Sequence, residues 1–408
     1  MKDVKTNIHV MESGSIVTPN GFHVGGVHSG VKRRRNDLGI IYSELPAHAA
    51  AVYTLNQIQA APLHVTKESI QTEQKLQAVV VNSGNANACT GAQGKKDAYQ
   101  MRETTAQKFQ VPTHYVAVAS TGIIGLDMPM DKITPHIEQL AIGRSNEHAA
   151  EFGESILTTD TFSKSICFET VIDGKNVSMA GAAKGSGMIE PNMGTMLGFI
   201  TTDVAIESDV LQTALKEVVD ETFNCITVDG DTSTNDMVLV LANGLAGNNS
   251  LTPEHDDWDT FMDLLTNTCE ELAKQIARDG EGASKLIEVE VTGTKTDEDA
   301  KKIAKSIVGS SLVKTAVYGT DANWGRIIAA VGYSGVEINP NKIDIAIGPL
   351  QLLKNSESTG FSEEEATAYL QNDTVVITVH LHNGEGKGKA WGCDLTYDYV
   401  RINASYRS

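Results

Sequence analysis

Short runs of β-branched and aliphatic residues recur along the chain, at Leu76–Val81, Tyr115–Ala119, Met237–Leu241, Leu312–Val317 and Thr374–Leu381. Their length and continuous apolarity predict strands, several of them buried on both faces. Between them the apolar period lengthens to that of a helix. From Asp257 to Ala277, Phe261, Leu264, Leu265, Leu272 and Ile276 share one face, with acidic residues early and Arg278 at the end, as the helix dipole favours. A second helix is predicted after Ser208, a good capping residue, with Leu211, Leu215, Val218 and Val219 turned inward. Shorter helices fit Asp297–Val308 and Ser362–Leu370. Strands and helices alternate without a repeating βαβ period, which predicts a layered α/β protein and argues against a barrel or a solenoid. No flexible linker divides the chain; Asn243–Pro253 and Gly280–Ser284 read as surface turns.

Composition narrows the function classes. The 408 residues are 41% hydrophobic with only 10 prolines, which fits a folded globular protein with a large core. With 33 basic and 52 acidic residues the formal charge is −19, which repels phosphate backbones and anionic lipid and predicts no nucleic-acid or membrane partner. The five cysteines (Cys89, Cys167, Cys225, Cys269, Cys393) form no CxxC pair, so they read as buried reduced thiols of a cytoplasmic protein. The first residues carry no continuous apolar signal segment, and no catalytic metal is expected.

The chemistry concentrates in AGAAKGSGMIEPNMGTMLGFITTD, Ala180 to Asp203, a glycine-rich loop followed by a buried strand. Lys184 precedes its glycines and a strand follows, so this is not a phosphate loop. A threonine after a glycine is most simply a loop-to-strand junction. It is also a reactive arrangement: Gly194 leaves its carbonyl unshielded, so the Thr195 hydroxyl is able to attack it, and hydrolysis of the ester frees an N-terminal Thr195. Its α-amine, with an ordinary pKa of about 8, then serves as base for its own hydroxyl. Ser120-Thr121-Gly122 ends a predicted strand and offers a hydroxyl and an unencumbered backbone N–H as oxyanion donors, although such junctions are routine. The loop Thr227–Asp236 is rich in carboxylates, but Thr234 and Val240 stand where a calcium loop needs glycine and glutamate, so it reads as hydrogen-bonded turn structure.

Six segments in order resemble the ornithine acetyltransferase family, the bifunctional glutamate N-acetyltransferases of arginine biosynthesis: VNSGNANACTG (Val81–Gly91), STGIIG (Ser120–Gly125), KGSGMIEPNMGTML (Lys184–Leu197), DGDTSTND (Asp229–Asp236), RDGEGASK (Arg278–Lys285) and GTDANWGRI (Gly319–Ile327). The resemblance implies a layered αββα-like sandwich of the self-processing aminopeptidase and ornithine acetyltransferase type. It implies cleavage between Gly194 and Thr195 into an α chain, 1–194, and a β chain, 195–408, intertwined, with a smaller C-terminal lobe at roughly 285–408. It assigns Thr195 as nucleophile, Thr121 and Gly122 as oxyanion hole, and Thr158, Lys184, Glu281, Asn403 and Ser408 as substrate-holding residues. The implied reaction is ping-pong transfer of acetyl from N-acetylornithine to glutamate by a heterotetramer or larger assembly. No tightly bound cofactor is implied; use of acetyl-CoA as a second donor differs among family members and stays open. Gly194 replaces the usual alanine and Ser408 the usual final threonine, and neither change removes a required group. Two other readings remain: an N-terminal-nucleophile aminopeptidase of the same fold, with water as acceptor, and a non-catalytic binding protein built on Asp229–Asp236.

Overall fold

A computed structural model describes residues 7–190 and 196–405. The chain divides into two compact units. The first takes in residues up to Gly185, then Asn192–Asp220 and Thr232–Leu272; the second takes in Ser186–Pro191, Glu221–Asp231 and Ala273 onward.

The first unit is organised by one mixed sheet that contains nine strands among the described residues. Their spatial order is His9–Val10, Lys164–Ile172, Lys175–Lys184, Leu197–Thr202, Met237–Ala242, Leu38–Tyr53, Lys75–Asn85 and Val116–Ile123, with Phe22–Val27 paired along Leu38–Tyr53. Alternation sorts the side chains onto two faces. Ile41, Val79, Val81, Ala117, Phe199 and Leu239 pack with Phe152 and Ile156. Ile40, Val80 and Val118 meet Val65, Ala98, Met101, Ile133 and Ile137 of helices on the other side. The period-2 pattern thus places apolar residues on both faces, and helices cover each. Phe152 is fully buried edge-on to Phe199, and truncation to alanine there costs about 3–5 kcal/mol.

Strand Leu197–Thr202 lies between Lys175–Lys184, antiparallel, and Met237–Ala242, parallel. Segments from both sides of position 195 therefore share one sheet, the intertwining expected of the layered α/β fold. The register pairs Lys184 with Leu197 and Leu197 with Met237, so the ends of three neighbouring strands meet in one row.

The second unit holds a seven-stranded sheet among the described residues, in the order Glu357–Ser358, Leu350–Lys354, Asp344–Ile347, Thr374–His380, Leu286–Thr294, Gly386–Cys393 and Ile226–Thr227. Helix Asp297–Val308 buries Ala300, Ile303, Ala304, Ile307 and Val308 against it, and Thr296 caps that helix by accepting from the Asp299 N–H.

Most predicted elements fall where expected, with three corrections. Leu312–Val317 belongs to the helix Ser311–Tyr318, capped by Ser310; Val313, Ala316 and Val317 point inward at helical spacing while Leu312 is exposed. Cys89 is exposed, and the other four thiols are buried and free. Gly280–Ser284 is no simple surface turn, since Asp279 and Glu281 are buried, and Asn243, Asn248 and Leu251 are likewise buried in 243–253. At the helix Ser208–Glu221 the serine hydroxyl donates to the Gln74 carbonyl at 2.6 Å.

Candidate active site

In the first unit the expected oxyanion residues lie on strand Val116–Ile123, beside Lys75–Asn85. The VNSGNANACTG segment shapes this edge. Gly122 has φ +131° opposite Gly84, and a Cβ on it would lie 2.4 Å from the Gly84 carbonyl carbon, so only glycine fits. The amides of that segment hold the turn: Asn82 Nδ2 donates to the Asn85 carbonyl at 2.9 Å, and Asn85 Nδ2 donates to the Asp127 carbonyl at 2.9 Å. Asn235 Nδ2 bridges the carbonyls of Ala86 (2.6 Å) and Ser120 (2.8 Å). Thr121 is thereby set in a buried, backbone-locked position.

Lys184, at the end of strand Lys175–Lys184, is buried and reaches Thr121, with Nζ 3.4 Å from Oγ1. Lys184 interacts electrostatically with Asp160, which is 2% exposed. Asp160 accepts from the backbone N–H groups of Gly185 (2.7 Å) and Thr158 (2.9 Å) and from Lys164 Nζ (2.7 Å), a lysine as deeply buried as its partner. Burial alone would raise its pKa, but the charges of Lys184 and Lys164 and these hydrogen bonds hold it well below the usual carboxylate range. Thr158, expected to contact substrate, is fixed through this carboxylate and remains partly accessible.

A second buried acid stands close by. Asp236, one residue before strand Met237–Ala242, accepts from the Met196 N–H, and its Oδ2 has no hydrogen-bond partner among the described residues. Burial pushes its carboxyl well above the usual range, against the pull of Lys184. Sequence reasoning took this residue for part of a turn and passed over Asp160, Lys164 and Asn235 as site residues. The signal for Asp236 was its place at the end of DGDTSTND, just before an apolar strand.

In the second unit Glu281 is buried, its backbone N–H donates to the Ser186 carbonyl at 2.9 Å, and Oε2 accepts from Asn403 Nδ2 at 2.7 Å. A Cβ at Gly187 would lie 2.4 Å from the Glu281 carboxyl carbon, so glycine makes room for this carboxylate. Asn403 sits on helix Tyr397–Ala404, capped by Thr396, which orders the chain near its end. Asp229 serves as a backbone clamp: it accepts from the N–H groups of Met188 (2.7 Å) and Ile189 (2.8 Å) and from the Tyr399 hydroxyl at 3.2 Å. Gly194, Thr195 and Ser408 lie outside the described residues. The structure therefore brings Thr121, Gly122, Thr158 and Lys184 together in the first unit, and Glu281 and Asn403 together in the second.

The model of the ArgJ family matches residues 23–408. An arginine biosynthesis bifunctional protein ArgJ from Geobacillus kaustophilus is 63% identical over 401 residues, covering 98% of each chain. The chain belongs to the ArgJ family. Another relative of that description, from Halalkalibacterium halodurans, is 63% identical over 403 residues, again covering 98% of each chain. A crystal structure of an ArgJ protein from Bacillus halodurans is 68% identical with a TM-score of 0.51, and the match covers 98% of that chain and 51% of this one. Membership of the ArgJ family bears out the expectation of an arginine-biosynthesis enzyme of the N-acyltransferase kind. Among the described residues, no helix is long and apolar enough to cross a membrane.

Proposed function

We propose that the chain cleaves itself before Thr195 and then moves acetyl from N-acetylornithine to glutamate through an acetyl-threonine intermediate. The observation that carries this reading is the register at the end of three strands. Leu197, two residues after Thr195, pairs with Lys184; the intervening Met196 N–H is held by Asp236; and Lys184 reaches Thr121. The chain just after the nucleophile is thus anchored beside the cation and the oxyanion donors the reaction needs. Family membership supports the same reading. So does the Bacillus halodurans ArgJ chain, which matches about half of this one, the share a cleavage product would span.

In self-cleavage the Thr195 hydroxyl adds to the Gly194 carbonyl, the C–N bond breaks as an ester forms, and water hydrolyses that ester to leave a Gly194 carboxylate and a free Thr195 amine. In transfer that amine accepts the hydroxyl proton as oxygen adds to the acetyl carbonyl. Thr121 Oγ1 and the Gly122 N–H take up the oxyanion, with the Lys184 charge behind them. The α-amine then protonates departing ornithine, and the glutamate amine collects the acetyl group by the reverse steps. Thr158, Glu281, Asn403 and Ser408 hold the amino-acid substrates, Glu281 suiting an ammonium. Asp236 holds the backbone at Met196, one residue after the nucleophile. The enzyme works in the cytoplasm as a heterotetramer of two α and two β chains.

N-acetylornithine supplied without glutamate should leave an acetyl group on the peptide that begins at Thr195, and initial rates should give parallel lines. Intersecting lines with an unmodified Thr195 peptide would refute the double displacement. Light scattering of the cleaved protein tests the tetramer.

A further inference from the structure

Helix Tyr397–Ala404, in the second unit, has eight residues and buries no side chain; Tyr397 and Val400 are largely exposed. A short helix near the chain end gains little from apolar burial of this kind, and on propensity alone it would fray. Yet its last turn carries Asn403, whose Nδ2 donates to Glu281 Oε2 at 2.7 Å. Polar ties hold it to the rest of the unit. Just before the helix, Thr396 Oγ1 donates to the Gly282 carbonyl at 2.7 Å. Gly282, at φ +71°, lets the two backbones close, since a Cβ on it would lie 2.7 Å from the Tyr399 nitrogen. Within the helix the Tyr399 hydroxyl donates to Asp229 Oδ2 at 3.2 Å.

These contacts close a ring inside the second unit. Asp229 also accepts from the Met188 N–H (2.7 Å), the Ser186 carbonyl accepts from the Glu281 N–H (2.9 Å), and Asn403 returns to Glu281. The Val228 N–H pins the same segment by donating to the Ile189 carbonyl at 2.7 Å. One side of the ring is therefore held by backbone groups. The other side runs through the helix, and the Tyr399 hydroxyl is its link to Asp229. Burial and the charge of Asp229 push the Tyr399 phenol above its ordinary value of about 10, which keeps the proton on the donor. A cavity of about 110 Å³ beside the ring, lined by Asp229, Ser311 and Lys314, leaves room for the side chain to swing once that bond is lost. Glu281 Oε2 is taken by Asn403, which leaves Oε1 as the acceptor for an ammonium.

We propose that Tyr399, anchored by Asp229, is a positioning residue: it sets the helix, and through it the Asn403 amide on Glu281, for recognition of the ammonium of the amino-acid substrate. The inference rests on the acetyl-transfer reading above, in which Glu281 and Asn403 hold that substrate.

The test uses the full-length, cleaved protein and reads ornithine binding by calorimetry beside steady-state kinetics. Tyr399→Phe keeps the aromatic ring and loses the hydroxyl. It should weaken ornithine binding and raise KM for N-acetylornithine about ten-fold, the effect of losing a hydrogen bond to a charged group, while kcat changes less than about two-fold. Asn403→Ala should weaken binding as well. In that background Tyr399→Phe should add nothing further, because its effect runs through Asn403. Unchanged ornithine affinity in Tyr399→Phe, whatever its melting temperature, would overturn the proposal, as would losses that add in the double variant. A parent that binds neither ornithine nor N-acetylornithine would overturn the acetyl-transfer reading, and this role with it.

Discussion

Asp160 and Lys164 form an ion pair of 2.7 Å with neither side chain exposed, and the same carboxylate holds the backbone at Thr158 and Gly185. Asp160→Asn removes the charge and leaves Lys164 and Lys184 facing a neutral amide in a dry interior. Breaking one side of such a pair costs about 3–5 kcal/mol, because a buried charge loses its counter-ion. The lower end applies here, since asparagine still offers one acceptor oxygen to the two backbone donors. Urea and thermal melts should show that loss. Asp160→Asn/Lys164→Met should recover part of it, with a coupling of about 2 kcal/mol. The folded pKa of Asp160 lies below its unfolded value, so its contribution is fully present above the ordinary carboxylate range and is lost as pH falls through the folded value. The gap between parent and variant should therefore stay constant from neutral pH down to about 5 and close only in stronger acid. A single-variant loss below about 1 kcal/mol, the size of an exposed pair, or strict additivity in the double variant, would refute the reasoning.

Thr121→Ala should lower kcat by about 10²- to 10³-fold with a smaller change in KM, as loss of an oxyanion donor does, and steady-state kinetics decide it. Gly122→Ala should lose both activity and melting temperature, because its Cβ collides with the Gly84 backbone. Asp236→Asn has the opposite pH signature to Asp160→Asn. The folded pKa of Asp236 is raised, so parent stability falls as pH climbs above the unfolded aspartate value, and melts of the asparagine variant should lose that slope. Gly187→Ala should displace the Glu281 carboxylate and raise the substrate KM while the far-ultraviolet circular dichroism stays unchanged.

The layered fold was legible wherever periodicity was clean. Leu197–Thr202, Met237–Ala242 and Asp297–Val308 carry unbroken strand or helix patterns, and all three form as expected. Leu312–Val317 misled because a short apolar run suits either period, and the deciding contribution is the Ser310 cap with inward Val313 and Val317. The site was legible only in part. Thr121, Gly122 and Lys184 stood out through their motifs, and their meeting follows from strand order, which no local pattern encodes. Asp160 looks like an ordinary polar loop residue in Leu157-Thr158-Thr159-Asp160; its importance comes from Lys164 at the start of the next strand and from Gly185, 25 residues on. Glu281 between glycines resembles a solvated carboxylate, and only the fold shows it buried on Asn403, 122 residues away.

Intact mass spectrometry of the purified protein beside Thr195→Ala tests the nucleophile most directly. The parent should appear as two polypeptides, one ending at Gly194 and the other beginning at Thr195, and the variant as a single uncut chain without activity. An active parent of one unbroken mass, or a fully active Thr195→Ala protein, would contradict it.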